Sequence, residues 1–377
     1  MFFGDFITQM SIAILSGYLA ISGALAQVLE ARLVAWHLME PRSLVTSPLS
    51  EEDIREPLAT SPDTLPSEYE RGGPIPRILL ENLEYQQAAV AGAGSGRAKD
   101  RAEKRRVEDA LVNIFCAYRD GNQVRATTGS GAFIDEKGIV LTNAHVAQFL
   151  LIPEFKQQAR CTIRQGDPAK DRYVADLLYI SPAWVHKNAA LIDDISPSGT
   201  GERDFALLYV TEGIDGEAPS TFPSLAFDVS NLAPSMRQEE VRAAGYPAEI
   251  FREEGPRADL VPRVSATKLI DLFTFGGGEA DLISIGNSAV GEQGASGGPI
   301  LSQEGAVIGL IVTKGDPVKE GEHSLRAITL AYINRTLKED TGFDLATTLE
   351  GNIPRRAEIF QNALVPFLSA LLKSELQ

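Results

Sequence analysis

The chain has 377 residues, 44% of them hydrophobic, so it is long enough for one large domain or two ordinary ones with a substantial core. Its formal net charge of −16 argues against nucleic acid as the main partner. Two cysteines without a Cys-x-x-Cys pair and four scattered histidines give little support to a zinc site, so no metal and no cofactor is predicted.

The N-terminal segment has the features of an export signal. Residues 6–29 contain no charged residue, and Ala24-Leu25-Ala26 before Gln27 is a small-x-small pattern that signal peptidases cut. The first ten residues carry no Lys or Arg, however, and the apolar run is long enough to span a bilayer uncleaved. We predict a cleaved signal peptide over 1–26 or an uncleaved membrane anchor, with a buried helix as the third interpretation. The first two interpretations both predict an exported protein, secreted or attached to the membrane through residues 6–29.

Residues 27–108 differ in composition from the rest of the chain. Prolines recur between acidic residues, and the basic run 97–106 follows a Gly-rich stretch. Such sequence predicts a largely disordered segment and linker. The basic run is typical of a solvated linker or helix start, and a processing site is the alternative.

From Leu111 onward, short apolar and β-branched runs alternate with turn residues. Strands are predicted over 111–118, 129–134, 138–142, 159–164, 173–180, 205–210, 241–244, 264–269, 269–275, 282–285 and 306–313. Many short strands without alternating helices predict an all-β barrel or sandwich.

The C-terminal sequence is helical in pattern. Helices are predicted over about 331–338 and over 357–376, where Pro366 predicts a kink. An apolar stripe recurs there at helical spacing, formed by Phe360, Leu364, Phe367 or Leu368, and Leu371. The stripe predicts a tail packed on its own domain, and a membrane or partner surface is the alternative.

Ser296 lies between glycines and just before an apolar run, in the stretch Gly291–Ile300. A nucleophilic serine needs a base beside it and N–H donors for the oxyanion. Glycines such as Gly294 and Gly297 allow positive-φ backbone, which can turn the N–H groups of Gly294 and Ser296 toward one point. A Gly-rich hairpin turn is the alternative interpretation.

His145 follows the predicted strand 138–142, a setting that fixes its position and leaves it accessible. Such a histidine suits a general base, and a structural histidine is the alternative. His186 is its rival in the sequence.

Asp204 immediately precedes an apolar strand and can orient a histidine through Nδ1–H, whereas the rivals Asp193 and Asp194 lie in a polar loop. The order His145, Asp204, Ser296 is that of the chymotrypsin fold.

The motifs T-N-A-H-V (142–146), R-D-F-A-L-L (203–208) and G-A-S-G-G-P-I (294–300) resemble those around the catalytic residues of bacterial trypsin-like serine peptidases. Gly-Tyr-Pro at 245–247 resembles a strand of secreted members such as glutamyl endopeptidases. The resemblance is nearest to the HtrA/Deg-type protease domain and covers roughly 109–336. The predicted division is therefore 1–26 signal or anchor, 27–108 N-terminal segment, 109–336 protease domain and 337–377 helical tail.

The resemblance implies two six-stranded antiparallel β-barrels and hydrolysis of protein or peptide substrates through an acyl-enzyme. Ser296 would attack, His145 would transfer the proton and Asp204 would orient His145. The N–H groups of Gly294 and Ser296 would form the oxyanion hole. The alternatives are a catalytically inactive binding module on the same fold and a membrane-anchored structural protein.

The sequence departs from the family pattern at particular residues. Ala295 replaces the aspartate that pairs with a freed N-terminal amine in digestive members, so that activation switch cannot operate. Val146 replaces the cysteine of the usual disulfide beside the histidine, and the tail 337–377 is too short for a PDZ domain. Cys116 and Cys161 lie in different predicted strands of the first barrel. They would pair in an exported protein or remain two buried thiols.

The resemblance places the floor of the primary substrate pocket near Ala289 and Val290, and one wall at Val312, Thr313 and Lys314. Because no carboxylate occurs there, cleavage after Arg or Lys is not expected. Small or apolar residues are predicted at the cleaved position, while Thr313 and Lys314 leave an acidic preference open.

Overall fold

The computed structural model describes the chain mainly from residue 106 onward. The described ranges are 63–64, 79, 83–90, 106–120, 123–154, 159–193, 200–251, 255, 258–276, 278–290, 293–319 and 322–375. All of them belong to one unit of the chain, residues 59–377. The predicted signal or anchor and the basic run up to residue 105 lie outside them. No helix within these ranges has both the length and the apolar content needed to cross a bilayer.

Six antiparallel strands close into a first barrel. After β1 (Asp63–Thr64), α1 (Leu83–Val90) and α2 (Val107–Ala110), they are β2 (Leu111–Asp120), β3 (Gln123–Asp135), β4 (Ile139–Thr142), β5 (Arg160–Gln165), β6 (Lys170–Ile180) and β7 (Ala206–Gly213). Their spatial order is β2-β3-β4-β7-β6-β5, and β5 pairs again with β2. Side chains alternate between the two faces of a strand, so Leu111, Phe133 and Leu207 point into a common core and are fully buried.

A second set of six antiparallel strands forms another ring. They are β8 (Glu240–Gly245), β9 (Arg263–Thr274), β10 (Leu282–Ile285), β11 (Pro299–Leu301), β12 (Val307–Lys319) and β13 (Glu322–Thr329). The order is β8-β9-β10-β13-β12-β11, with β11 paired to β8, and β1 adds to β9 in parallel. The two six-stranded barrels confirm the predicted fold class.

The strand boundaries differ from the predicted ones in the second barrel. The two predicted strands over 264–275 are one strand, β9, because no turn interrupts the pairing with its neighbours. The sequence did not predict β11 or β13. The first is only three residues long, and the second contains His, Arg and Glu among its apolar residues.

Helices follow the second barrel, as predicted. They are α5 (Leu330–Thr341), α6 (Leu345–Thr348), α7 (Ile353–Ala363) and α8 (Val365–Glu375), and α3 (Ala144–Ala147) and α4 (Pro182–Asn188) lie in the loops of the first barrel. The Thr329 hydroxyl accepts from Tyr332 N–H at the start of α5, and Gly342 ends that helix with a φ of 84°. Proline suits a first helical turn, so the predicted kink at Pro366 is instead a break between α7 and α8.

The apolar stripe of the tail packs on the protein itself. Phe360, Leu364, Leu368 and Leu372 are fully buried, and the Phe360 ring lies 6.4 Å from the ring of Tyr179 in β6. The buried residue at the end of the stripe is therefore Leu372, and the predicted Leu371 is only partly buried. The packing interpretation is confirmed for the described helices.

Helix α1 lies within the segment predicted to be largely disordered, yet it packs on α7. Tyr85 is fully buried and accepts a hydrogen bond from Arg356 Nη2 at 3.1 Å. Asn352 N–H donates to the Ala88 carbonyl at 3.0 Å. The eight residues of α1 show little amphipathic pattern, so the sequence alone did not predict this helix.

Cys116 and Cys161 lie directly opposite each other in β2 and β5, and a disulfide joins them. Their Cα atoms are 4.0 Å apart and 45 residues apart in sequence. The disulfide therefore links β2 covalently to β5, the strand pair that closes the first barrel.

Replacing both cysteines by serine should lower the free energy of unfolding by about 2–4 kcal/mol, because the unfolded chain then regains the entropy of an open loop. Urea unfolding of the oxidised protein and the double variant measures the difference. An unchanged midpoint and slope would contradict this expectation, and the variant should not respond to reductant.

Candidate active site

His145 and Asp204 meet in a bidentate contact. Helix α3 begins directly after β4 and carries His145, whose Nδ1 lies 2.7 Å from Asp204 Oδ2. The His145 backbone N–H donates to Asp204 Oδ1 at 2.9 Å. An ionised carboxylate only accepts, so Nδ1 must carry the proton in this contact. Neutral His145 then presents an unprotonated Nε2, the atom that a general base uses.

A tight turn aims the Asp204 carboxylate at the histidine. Gly201 and Arg203 both have positive φ, 87° and 60°, and Asp204 N–H donates to the Gly201 carbonyl at 3.1 Å. The Asn143 side chain donates to the Asp204 carbonyl at 2.8 Å. The Asp204 side chain is 6% exposed and that of His145 is 20% exposed, so the acid lies under the histidine and the histidine faces outward.

Helix α5 anchors the turn from the outside. Arg203 Nη1 contacts Asp340 Oδ1 at 2.8 Å, and Tyr179 donates to Asp340 Oδ2 at 2.6 Å. Burial opposes the charge on Arg203, but Asp340 together with Tyr179 and Tyr332 outweighs burial, so the Arg203 pKa is raised. Burial first, and Asp340 second, raise the pKa of Tyr179 well above its usual value. Arg203 therefore stays charged and Tyr179 stays a neutral donor.

The serine loop is fixed through its carbonyl groups. Four consecutive carbonyls, from residue 293 to residue 296, accept hydrogen bonds. Their donors are, in order, Ala248 N–H (2.8 Å), Ser130 Oγ (2.6 Å), Gly298 N–H (2.8 Å) and Ser130 N–H (2.7 Å). By contrast, the N–H groups of Gly294 and Ser296 have no acceptor among the described residues. Gly294 has a φ of 78°, which a side chain would resist.

Ser130 and Thr142 connect the serine loop to the histidine strand. The Thr142 hydroxyl, at the end of β4, donates to the Ser130 carbonyl at 2.8 Å. A Cβ at Gly297 would clash with that same carbonyl and with Thr142, so only glycine permits this approach. Hydrogen bonds thus join Asp204 to His145 directly, and Ser130 bonds both to Ser296 and to Thr142 at the end of the strand that precedes His145.

The residues predicted to line the substrate pocket lie in the second barrel. Val290 and Val312 are buried, and a Cβ at Gly201 would meet Val312. Thr313 and Lys314 lie in β12, paired with β13, and their side chains are outside the described part of the structure. No carboxylate occurs at these positions.

The rival residues occupy other places. His186 is exposed in the last turn of α4, away from the Asp204 contact. Asp193 ends a 3₁₀ helix over Ala189–Asp193, and Asp194 lies outside the described residues. The direct contact with Asp204 therefore favours His145 over His186.

One comparison with known protein families covers all three candidate residues. Residues 129–310, which include His145, Asp204 and Ser296, match the model of the trypsin-like peptidase domain. No curated protein matches the chain. A crystal structure of Rv3671c from M. tuberculosis H37Rv, a serine-to-alanine mutant in its inactive form, is 19% identical, with 63% of this chain and 88% of that chain covered and a TM-score of 0.38. The nearer resemblance to HtrA/Deg proteases and the expectation that no PDZ domain follows stay predictions. Residues 129–310 are therefore similar to the trypsin-like peptidase domain, and the two six-stranded barrels agree with that similarity.

Proposed function

We propose that this protein is a serine endopeptidase that hydrolyses peptide bonds through an acyl-enzyme. The observation that supports this most is the His145–Asp204 contact, with both carboxylate oxygens engaged by one histidine. It leaves Nε2 as the basic atom of a histidine that is still partly exposed. This is the arrangement that a serine nucleophile requires of its base.

The proposed reaction has two halves. Ser296 Oγ attacks the scissile carbonyl while His145 Nε2 takes its proton, and the Asp204 carboxylate stabilises the imidazolium that forms. Collapse of the tetrahedral intermediate breaks the C–N bond, and His145 gives the proton to the leaving amine. Water then attacks the ester on Ser296 in the same way and releases the second product.

Oxyanion stabilisation falls to the N–H groups of Gly294 and Ser296. The carbonyls around them are already bonded to protein donors, and these two N–H groups are not paired with any described acceptor. Preorganised donors of this kind contribute about 10²–10³-fold each to kcat.

We also propose that the protein works outside the cytoplasm, secreted or attached to the membrane through residues 6–29. The apolar, uncharged run 6–29 supports export. The Cys116–Cys161 disulfide supports it too, because disulfides persist in oxidising compartments.

The purified protein should cleave unfolded proteins after small or apolar residues. Val290 and Val312 offer no countercharge for Arg or Lys, and no carboxylate occurs among the residues proposed to line the pocket. Mass spectrometry of the peptides released from a diverse peptide library measures the preference. Dominant cleavage after Arg or Lys would contradict the proposed pocket, and absence of cleavage of any peptide would favour the inactive binding module.

A further inference from the structure

Ser130 is a buried serine at the contact between the two barrels, and every polar group it has is used there. Its Oγ donates to the Gly294 carbonyl at 2.6 Å and accepts from Tyr246 N–H at 2.8 Å. Its N–H donates to the Ser296 carbonyl, and its own carbonyl accepts from the Thr142 hydroxyl. Ser130 lies in β3 of the first barrel. Three of its four partners, Gly294, Tyr246 and Ser296, lie outside that barrel, and the fourth, Thr142, ends β4.

The serine loop needs a contact from elsewhere to hold its backbone, because the side chain of Ala295 cannot make a polar one. Ala295 has a methyl side chain that is fully buried in the apolar core of the second barrel, and it offers no carboxylate that a freed N-terminal amine could pair with. The peptide groups on either side of Gly294 are instead held by their carbonyls. Ala248 N–H holds the carbonyl of Gln293, and Ser130 Oγ holds that of Gly294.

Removal of the Ser130 hydroxyl would leave the Gly294 carbonyl without that donor. A carbonyl in this position can regain a partner by rotation of the peptide between Gly294 and Ala295. Such a rotation turns the Gly294 carbonyl and the Ala295 N–H. The neighbouring peptides, which carry the Gly294 and Ser296 N–H groups, then lose the restraint that this hydrogen bond places on the loop. The two proposed oxyanion donors would then no longer be held in one fixed direction.

The approach of Ser130 also depends on the glycine that precedes Tyr246. A Cβ at Gly245 would lie 2.9 Å from Ser130 Oγ and 3.2 Å from Val290 Cγ1. Gly245 therefore leaves room for the hydroxyl to reach its two partners.

We propose that Ser130 is a positioning residue that holds the oxyanion loop in its productive shape without any freed N-terminus. This inference rests on the proposed peptidase function. It assigns to a hydrogen bond from the first barrel the task that an activation cleavage performs in digestive relatives. The domain would then be competent as soon as it is folded.

Ser130→Ala is the direct test, with Ser369→Ala as the matched control. Ser369 is also buried and also donates to a backbone carbonyl, that of Leu151, at 3.0 Å. We expect Ser130→Ala to lower kcat for a peptide substrate by about 10- to 100-fold with KM within about threefold of the wild type. Its affinity for a peptide trifluoromethyl ketone, which forms an oxyanion, should fall by a similar factor. Ser369→Ala should change neither.

The inference is overturned if Ser130→Ala keeps kcat within twofold of the wild type, or if Ser369→Ala loses as much. A crystal structure of Ser130→Ala provides the readout that is independent of activity, and it should show the peptide between Gly294 and Ala295 rotated. If the wild type proves inactive, the proposed function fails, and the loop in that crystal structure still decides the role of Ser130. An unchanged loop would overturn it.

Discussion

Ser296→Ala should abolish peptide hydrolysis and leave the fold intact. Loss of the nucleophile from a serine triad lowers kcat by about 10⁶-fold. The backbone bonds of the loop do not depend on this side chain, since Ser130 N–H donates to the Ser296 carbonyl and Gly297 N–H donates to the Ile311 carbonyl. Thermal unfolding should therefore change little, as for partly exposed substitutions that break no buried contact.

The assay compares hydrolysis of the same peptide by the wild type and by Ser296→Ala, each purified and checked for folding by circular dichroism. Ser374→Ala, at the exposed C-terminal end of α8, is a suitable control and should retain activity. Retention of more than about a tenth of wild-type kcat in folded Ser296→Ala would place the nucleophile elsewhere.

Asp204→Asn should lower kcat by about 10⁴-fold while preserving the shape of the site. The amide of an asparagine can still accept from the His145 backbone N–H through its oxygen. Its NH₂ group would then face Nδ1 and donate to it, which leaves the proton on Nε2. In that tautomer His145 cannot accept the proton of Ser296.

The steady-state rates of Asp204→Asn and Asp193→Asn separate the two acids that the sequence offers. Only the first should lose activity, because the Asp204 carboxylate is the one that contacts His145. Equal losses in both variants, or an Asp204→Asn enzyme within tenfold of the wild type, would contradict the assignment.

The sequence predicted those parts of the fold that are encoded locally. Leu111 and Leu282 begin strands at the predicted residues, because β-branched and apolar runs bounded by turn residues carry their own signal. The candidate histidine, aspartate and serine were predicted from short motifs in a fixed order, and the structure brings the first two into direct contact. Helix α1 was not found, since its burial depends on Tyr85 meeting Arg356, a residue 271 positions away.

The supporting contacts of the site were also beyond sequence reasoning. Asp340 lies 137 residues from Arg203, and Ser130 lies 164 residues from Gly294. Nothing in a local pattern joins such pairs. One signal was present: Ser130 stands between Gly129 and Gly131, where a Cβ would press on Val146 and on Val140. Glycines around a serine inside a strand indicate a close backbone approach. The sequence pattern predicted only a strand over 129–134.

Ala295 is the residue whose interpretation changed most. The sequence showed that no zymogen latch can form there, and it left open what shapes the loop. In the structure Ala295 is a core residue. The carbonyls of its two neighbours, Gly294 and Ser296, both accept hydrogen bonds from Ser130. The unusual alanine is therefore compatible with an ordered loop.

Labelling with a fluorophosphonate probe, followed by mass spectrometry of the modified peptide, tests the central claim most directly. The probe reacts with a serine only when a neighbouring base activates it. The wild-type protein should carry one adduct, on Ser296, and His145→Ala should lose it while remaining folded. No adduct on the folded wild type, or an adduct on a different serine, would contradict the proposal that His145, Asp204 and Ser296 form a working catalytic triad.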